Sequence, residues 1–310
     1  MSNKRKVIIT CAVTGGLFTP SMSPYLPCGV NDISQQAIDA ANAGAAMLHL
    51  HARDDDGQPT ADPDKFRTIL SRVKNNCDAI IAITTGGAAG MTEEERMACI
   101  PLYKPEVASF NCGSVNFSLV GLAAAIQEPK YDWEIPFLKG TDGNVFHNPF
   151  SSMKRWAKVM KEAGTVPDLE IFDLGQLNNV WYLVQNGYLE MPLYFTFVTG
   201  LLGGIPFSPE NLMYFVNHVK SKYGNKANFG MICGGTEMFR AETLSVLLGG
   251  NVRLGLEDSL YIKPNGELAV SNARQVEKAV KILRNLDYEV ATPEEARAIL
   301  HTKGKDKVNF

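Results

Sequence analysis

The chain has 310 residues, of which 45% are hydrophobic and 20% are charged, a composition typical of a globular protein with a sizeable core. A net charge of −3 disfavours nucleic acid as the main partner, because binding a phosphate backbone needs clustered cations. The basic, then apolar opening MSNKRKVIITCAV is too short for a spanning helix and lacks a small-residue cleavage site. Six scattered cysteines with no C-x-x-C pair predict free thiols in a reducing cytoplasm, so we expect a cytoplasmic protein. Because the opening apolar segment is too short to span a bilayer, we also expect no membrane partner.

Eight short apolar stretches, rich in β-branched residues, alternate with segments of helical spacing. The predicted strands are residues 6–13, 46–52, 79–85, 107–113, 169–175, 193–199, 227–233 and 251–258. Eight strand–helix repeats without a Pro/Ser-rich linker predict one domain over residues 1–310, a (β/α)₈ TIM barrel of the α/β class. The longest connection, at about 127–150, is predicted to be an irregular insertion.

Local signals mark the ends of several predicted helices. Asp32 and Ser208 occupy expected N-cap positions, and Asp62 precedes a proline at a first helical turn. Gly44 and Gly164 are expected to end helices before the next strand.

Polar side chains stand at the carboxyl end of nearly every predicted strand, which is the end where TIM barrels carry their reactive groups. A packed core alone would not need them, since burying a polar group without a partner is costly. The residues are Thr14, His49, His51, Thr84, Thr85, Ser109, Asn111, Glu170, Asp173, Thr199, Glu257 and Asp258.

The stretch AAMLHLHARDDDG carries two of the five histidines. His49 and His51 lie two apart on one strand, so their side chains point to the same face and could share a metal. Glu257 is the best candidate for a third ligand, because the eighth strand of a closed barrel neighbours the first. The alternative is a pair of core histidines satisfied by backbone carbonyls.

A second cluster, VRLGLED, joins Arg253 to Glu257 and Asp258. The arginine could form a structural salt bridge with these carboxylates. It could equally orient Asp258 as a base and hold a substrate carboxylate. The residues alone leave both possibilities open.

Several motifs resemble the β-keto acid cleavage enzymes, the family that includes 3-keto-5-aminohexanoate cleavage enzyme. They are ITCAVTGG, HLHARDDDGQPT, ITTGG, KPEVASFNCGSVNF, NLMYFV, RLGLEDSLY and SNARQVE, in the same order along almost the whole chain. The resemblance implies a metal-dependent, oligomeric (β/α)₈ enzyme, with zinc the expected metal and a homo-tetramer the favoured assembly. It also implies that a β-keto acid and acetyl-CoA give acetoacetate and a new acyl-CoA.

The resemblance also implies roles for individual residues. His49, His51 and Glu257 would hold the metal, and Asp258, assisted by Arg253, would be the base. Pocket positions of the family correspond here to Thr84 or Thr85, Ser109 and Asn111.

One position departs from the aminohexanoate enzymes, which have a glutamate for the substrate ammonium shortly after the first strand. Leu17 stands there, and a buried leucine cannot offset the free-energy cost of removing an ammonium group from water. We therefore expect a β-keto acid with a neutral distal group. Alternatively, Leu17 merely packs and Glu237 recognises a cation.

Two other functions fit parts of the pattern. An amidohydrolase-like hydrolase also uses H-x-H at a strand end, but it needs histidines from later strands, and strands five and six offer none. A non-catalytic barrel that binds acyl-CoA or a metal is the third possibility, because fold does not determine activity.

Overall fold

The computed structural model describes residues 5–88 and 90–310. Eight parallel strands form its central sheet: β1 (Ile9–Ala12), β2 (Met47–Leu50), β3 (Ile80–Ile83), β4 (Val107–Asn111), β5 (Val166–Ile171), β6 (Leu193–Thr199), β7 (Ala227–Cys233) and β8 (Val252–Leu254). Their spatial order is β7-β6-β5-β4-β3-β2-β1-β8. The Asn251 amide donates to the Phe229 carbonyl over 2.7 Å and links β7 to the residue before β8. The result is a nearly closed barrel, which confirms the predicted fold.

Helices surround this barrel. In the described part of the chain they are α1 (Gly29–Ala43), α2 (Pro63–Asn76), α3 (Glu93–Met97), α4 (Cys99–Tyr103), α5 (Val120–Ala123), α6 (Glu134–Gly140), α7 (Phe150–Ala163), α8 (Gln176–Gln185), α9 (Pro209–Tyr223), α10 (Met238–Leu247), α11 (Asn272–Asn285) and α12 (Pro293–Leu300). Within residues 5–88 and 90–310, none of them is both long and apolar enough to cross a membrane.

Most of the predicted helix ends are confirmed. The Asp62 carboxylate accepts from the Asp64 amide, and the Ser208 hydroxyl accepts from the Asn211 amide. Gly44 and Gly164 end α1 and α7. The N-cap prediction for Asp32 is wrong, because α1 begins three residues earlier and this carboxylate instead accepts from the Cys28 amide within the first turn.

The barrel strands bury both faces, and alternation decides which face each side chain takes. Leu48 and Leu50 point outward into the layer between sheet and helices. Met47 faces the lower barrel interior, and His49 shares its face because it lies two residues further on. The histidine pair therefore points to the barrel axis.

The connection at about 127–150 is more ordered than the sequence predicted. It contains α6, and its strand Val145–Phe146 pairs antiparallel with Val115–Asn116. The buried Glu134 accepts hydrogen bonds from the amide and hydroxyl of Ser21, which attaches α6 to the loop after β1. The sequence does not indicate this helix, because its seven residues are too few to show a helical period and Pro136 interrupts them.

Gly255 makes the turn after β8 possible. Its φ is +144°, and a Cβ built there would lie 1.9 Å from the Ala12 carbonyl oxygen. The same carbonyl accepts from the Glu257 amide at 3.1 Å, so the close approach aims Glu257 at the barrel axis.

We expect Gly255→Ala to lower the free energy of unfolding by about 3–5 kcal/mol, through backbone strain plus a contact with backbone that cannot move aside. Gly266→Ala is the matched control, because Gly266 also has positive φ, +84°, but nothing within 4 Å of a built Cβ. That control should cost only about 1–2 kcal/mol. Urea denaturation of both variants measures the difference, and equal losses would contradict the steric explanation.

Candidate active site

A cavity of about 950 Å³ opens at the carboxyl ends of the strands. Its floor carries the charged groups of the barrel interior, and loops after β1, β3, β4 and β6 form its walls. The wall near Leu17 is apolar and includes Met22, Phe117, Leu122 and Phe137. A polar floor under apolar walls is typical of a small-molecule site.

His49, His51 and Glu257 converge at this floor. The two Nε2 atoms lie 3.2 Å apart, and Glu257 Oε1 is 3.5 Å from His49 Nε2 and 3.3 Å from His51 Nε2. An ion held tetrahedrally at 2.0–2.1 Å would separate its ligand atoms by about 3.3 Å. Within the described residues Glu257 Oε2 has no hydrogen-bond partner, although it is buried. These three side chains therefore form a possible metal site whose donor set fits a divalent ion.

The sheet order explains why residues some two hundred positions apart meet. Ala12 of β1 pairs with His49 of β2, and β8 pairs with β1 on its other side. The side chain of Glu257 packs against the backbone of Gly15, where a Cβ would lie 2.4 Å from Glu257 Cγ. Gly15 also has a positive φ, +60°.

The protonation of these groups suits metal binding. Burial holds the pKa of His49 well below its ordinary value, which leaves a neutral imidazole able to act as a ligand. Burial raises the pKa of Glu257, but its charged and hydrogen-bonding neighbours, among them Arg253 at 2.9 Å, outweigh burial and lower it. Glu257 is therefore a carboxylate.

Arg253 lies at the centre of a buried cluster of carboxylates. Its Nη2 donates to Glu257 Oε1 at 2.9 Å, its Nε to Asp258 Oδ2 at 3.3 Å and its Nη1 to Glu170 Oε1 at 3.3 Å. Strand β8 ends at Leu254, so the following turn brings both Glu257 and Asp258 to the interior. Asp258 is thus held by an arginine that also contacts Glu257 of the possible metal site.

The two other carboxyls of this cluster differ in charge. Burial raises the pKa of Asp258 to about 6 against the opposing effect of Arg253, so it is mainly ionised at neutral pH. Burial raises the pKa of Glu170 to about 8, which favours its protonated form there. Asp258 is thus mainly a carboxylate beside a Glu170 that is mainly a neutral acid.

The predicted pocket residues occupy different places. Leu17, Thr84 and Asn111 line the cavity. Thr85 and Ser109 bond to each other behind its wall, since the Thr85 amide donates to Ser109 Oγ at 2.8 Å and the Thr85 hydroxyl to the Ser109 carbonyl at 2.7 Å. Glu237, the alternative partner for a cation, pairs with Arg240 at 3.0 Å and does not line the cavity.

The sequence alone assigned no role to several residues that organise the site. Asp168 lies two residues before Glu170 on β5, the same alternation as the histidine pair, and that signal could have found it. Arg53 is buried and donates to the Thr14 hydroxyl and carbonyl and to the Phe18 carbonyl, which fixes the loop that contains Leu17. No local pattern indicates this role.

Asn272, in the motif SNARQVE, links two parts of the site. Its Nδ2 donates to the Val13 carbonyl, and its Oδ1 accepts from the Leu256 amide, both over 2.9 Å. The end of β1 is thereby joined to the turn that carries Glu257.

Comparison with protein-family models matches residues 6–301 to the family described as beta-keto acid cleavage enzyme. The chain is 42% identical, over the full length of both proteins, to 3,5-dioxohexanoate:acetyl-CoA acetone transferase of Paraburkholderia graminis. It is 36% identical to 3-keto-5-aminohexanoate cleavage enzyme of Acetoanaerobium sticklandii, covering 95% of this chain and 98% of that enzyme.

Among solved structures, the binary complex of ObcA with oxaloacetate superimposes with a TM-score of 0.71. The match covers 90% of this chain and 68% of that one at 20% identity, so it supports the fold alone.

Proposed function

This chain belongs to the family of beta-keto acid cleavage enzymes, and we propose that it converts a β-keto acid and acetyl-CoA into acetoacetate and a new acyl-CoA. The observation that carries the proposal is the convergence of His49, His51 and Glu257 beside Asp258, which Arg253 holds at the floor of the cavity. The name of the relative at 42% identity includes acetyl-CoA, which supports the same co-substrate here.

His49, His51 and Glu257 would hold the metal, for which we propose zinc because two imidazoles and one carboxylate suit that ion. A divalent ion there would supply Lewis acidity, which makes the carbon between ketone and carboxylate of a β-keto acid a stronger acid.

Asp258 is the proposed base. It would take a proton from that carbon and leave an enolate, while Arg253 keeps the carboxylate oriented through contacts at 3.3 and 3.4 Å. Because Arg253 is itself buried among carboxylates, it remains charged throughout.

The remaining steps balance without an external reagent. The enolate carbon attacks the acetyl thioester and expels the thiolate of CoA, and the thiolate then attacks the original ketone carbon. The bond between that carbon and the former enolate carbon breaks, giving the new acyl-CoA and the acetoacetate carbanion. Protonated Asp258 returns its proton to this carbanion.

We propose that the distal group of the substrate is neutral. Leu17 packs with Met22, Phe117 and other apolar side chains, so this wall offers a cation no carboxylate. Glu134 is the nearby acid, but its oxygens already accept from Ser21 and Tyr131 and it does not line the cavity.

A substrate panel tests both the reaction and the distal group. Purified, zinc-loaded protein is mixed with acetyl-CoA and β-keto acids of similar length that carry a methyl, an ammonium or a carboxylate at the distal end. We expect acetoacetate mainly from the neutral acid, and Leu17→Glu should shift kcat/KM toward the ammonium acid by about tenfold or more, because it offers the cation a partner. Leu17→Gln is the control of equal size without charge. Acetoacetate from none of the acids would refute the proposed reaction.

The resemblance to the family also supports a homo-oligomer, and we propose a tetramer. Sedimentation of the zinc-loaded protein measures this assembly.

A further inference from the structure

Arg96 is a buried arginine of the cavity wall whose charge no carboxylate neutralises. It lies on α3, is 7% exposed and lines the cavity. Its Cζ lies 4.7 Å from the ring centroid of Phe146 and 4.7 Å from that of Trp156, within the range of cation–π contacts. Burial lowers the pKa of Arg96 to about 10, so it stays charged at neutral pH. Because burying a charge without an ionic partner is costly, the contacts of Arg96 indicate what it does there.

Three hydrogen bonds connect Arg96 to separate parts of the wall. Its Nε donates to the Thr85 carbonyl at 2.7 Å, just beyond the end of β3. Its Nη1 donates to the His147 carbonyl at 3.1 Å and its Nη2 to Asn148 Oδ1 at 2.7 Å, both after the strand Val145–Phe146. All three acceptors are neutral, so the guanidinium acts here as a planar group that holds several acceptors in one geometry.

Asn148 extends the connection to β4. Its amide donates to Ser114 Oγ at 2.8 Å and its Nδ2 to the Gly113 carbonyl at 3.2 Å. Gly113 lies two residues after Asn111, which ends β4 and lines the cavity. Arg96 therefore links the loop after β3 to the loop after β4.

The contact with Thr85 also reaches a side chain that faces the cavity. The peptide that joins Thr85 to Gly86 is held at both ends, since its carbonyl accepts from Arg96 and its N–H donates to Thr84 Oγ1 at 2.9 Å. Thr84 lines the cavity. The orientation of this hydroxyl therefore depends on Arg96 through one peptide group.

We propose that Arg96 is a positioning residue, which sets the binding geometry of the β-keto acid through the loops after β3 and β4. Among the described residues it bonds neither to the proposed metal ligands nor to Asp258, which come from β2 and from the turn after β8. Loss of Arg96 should therefore impair binding of the keto acid more than the chemical step. This inference rests on the proposed function, since that function supplies the β-keto acid.

Arg96→Ala in the zinc-loaded protein tests the proposal. We expect the KM for the β-keto acid to rise by about 10- to 100-fold while kcat changes by less than about threefold, because the two loops lose their common partner. The metal content should match wild type. Calorimetric binding of acetoacetate, itself a β-keto acid, without acetyl-CoA adds a readout that needs no turnover, and its Kd should rise by the same factor. Arg96→Lys should resemble Arg96→Ala, because an ammonium keeps the charge but not the planar fork.

Arg297→Ala is the matched control for lost stability. Arg297 also holds several groups, but it pairs with Glu106 at 3.0 Å at the amino end of β4 and does not line the cavity. Both alanine variants should lower the Tm, because each removes hydrogen bonds that exist. Only Arg96→Ala should change the KM for the keto acid and the affinity for acetoacetate.

Asn148→Ala is a milder variant that carries the test if Arg96→Ala fails to fold. Arg96 then keeps its bonds to Thr85 and His147, so the KM should rise by only about 3- to 10-fold. An unchanged KM, a fall in kcat as large as the rise in KM, or a wild-type KM in Arg96→Lys would overturn the proposal. Failure of the proposed function would look different: wild type would make no acetoacetate, while the acetoacetate affinities would still separate Arg96→Ala from Arg297→Ala.

Discussion

Replacing Asp258 by asparagine is expected to lower turnover by about 10²- to 10⁴-fold, the range that a positioned general base contributes. The amide is nearly the same size, but it cannot accept the proton from the carbon next to the ketone. Arg253 keeps its contacts with Glu257 and Glu170, so the proposed metal ligands should remain in place. The measurements are acetoacetate formation with the preferred β-keto acid and the metal content of the purified variant.

Asp173→Asn is the matched control for this prediction. Asp173 also follows a barrel strand, but it is exposed, accepts from the Gly175 amide and does not line the cavity. Its turnover should stay close to that of wild type. If Asp258→Asn kept full turnover with its metal bound, Asp258 would not be the base, and another carboxyl of the cluster would have to take that role.

The strands were predictable because each is a short apolar run, and in seven of the eight the predicted segment contains the observed strand. In β5 the run is interrupted by Pro167 and Asp168, so the prediction began at Leu169 instead of Val166. Because the predicted strand began one residue after it, the inward-facing Asp168 was missed. A polar residue on the inner face of a strand looks like a strand boundary until the barrel supplies its partners, here Thr196 and the charge of Arg253.

The possible metal site was predictable for a different reason, because it combines a local pattern with topology. Two histidines at i and i+2 share a face, and closure of the barrel brings the eighth strand to the first. The hydrogen bonds between Thr85 and Ser109 follow from neither rule, and nor does the lack of a partner for the Asn111 side chain among the described residues. Whether a hydroxyl faces the cavity or the next strand depends on small rotations of side chains, which spacing in a sequence does not record.

Replacing a proposed metal ligand is the second large effect that we expect. His51→Ala removes one of three donor atoms, and its metal content after dialysis should fall well below one ion per chain. Turnover should fall by more than about 100-fold, because even the outer partners of ligands typically account for 10- to 100-fold in metal affinity or activity. Glu257→Gln should act in the same direction, since it replaces the carboxylate that approaches both imidazoles.

Stability provides an independent readout of the same site. An ion that binds only the folded chain raises its Tm, so a chelator should lower the Tm of wild type. His51→Ala should no longer respond to the chelator, because it has little metal to lose. His147→Ala is the matched control: His147 lies at the exposed edge of the same cavity and outside the ligand group, so its metal content and chelator response should match wild type. One ion per chain in His51→Ala, or full turnover of the wild-type apoprotein, would show that the three side chains do not hold the catalytic metal.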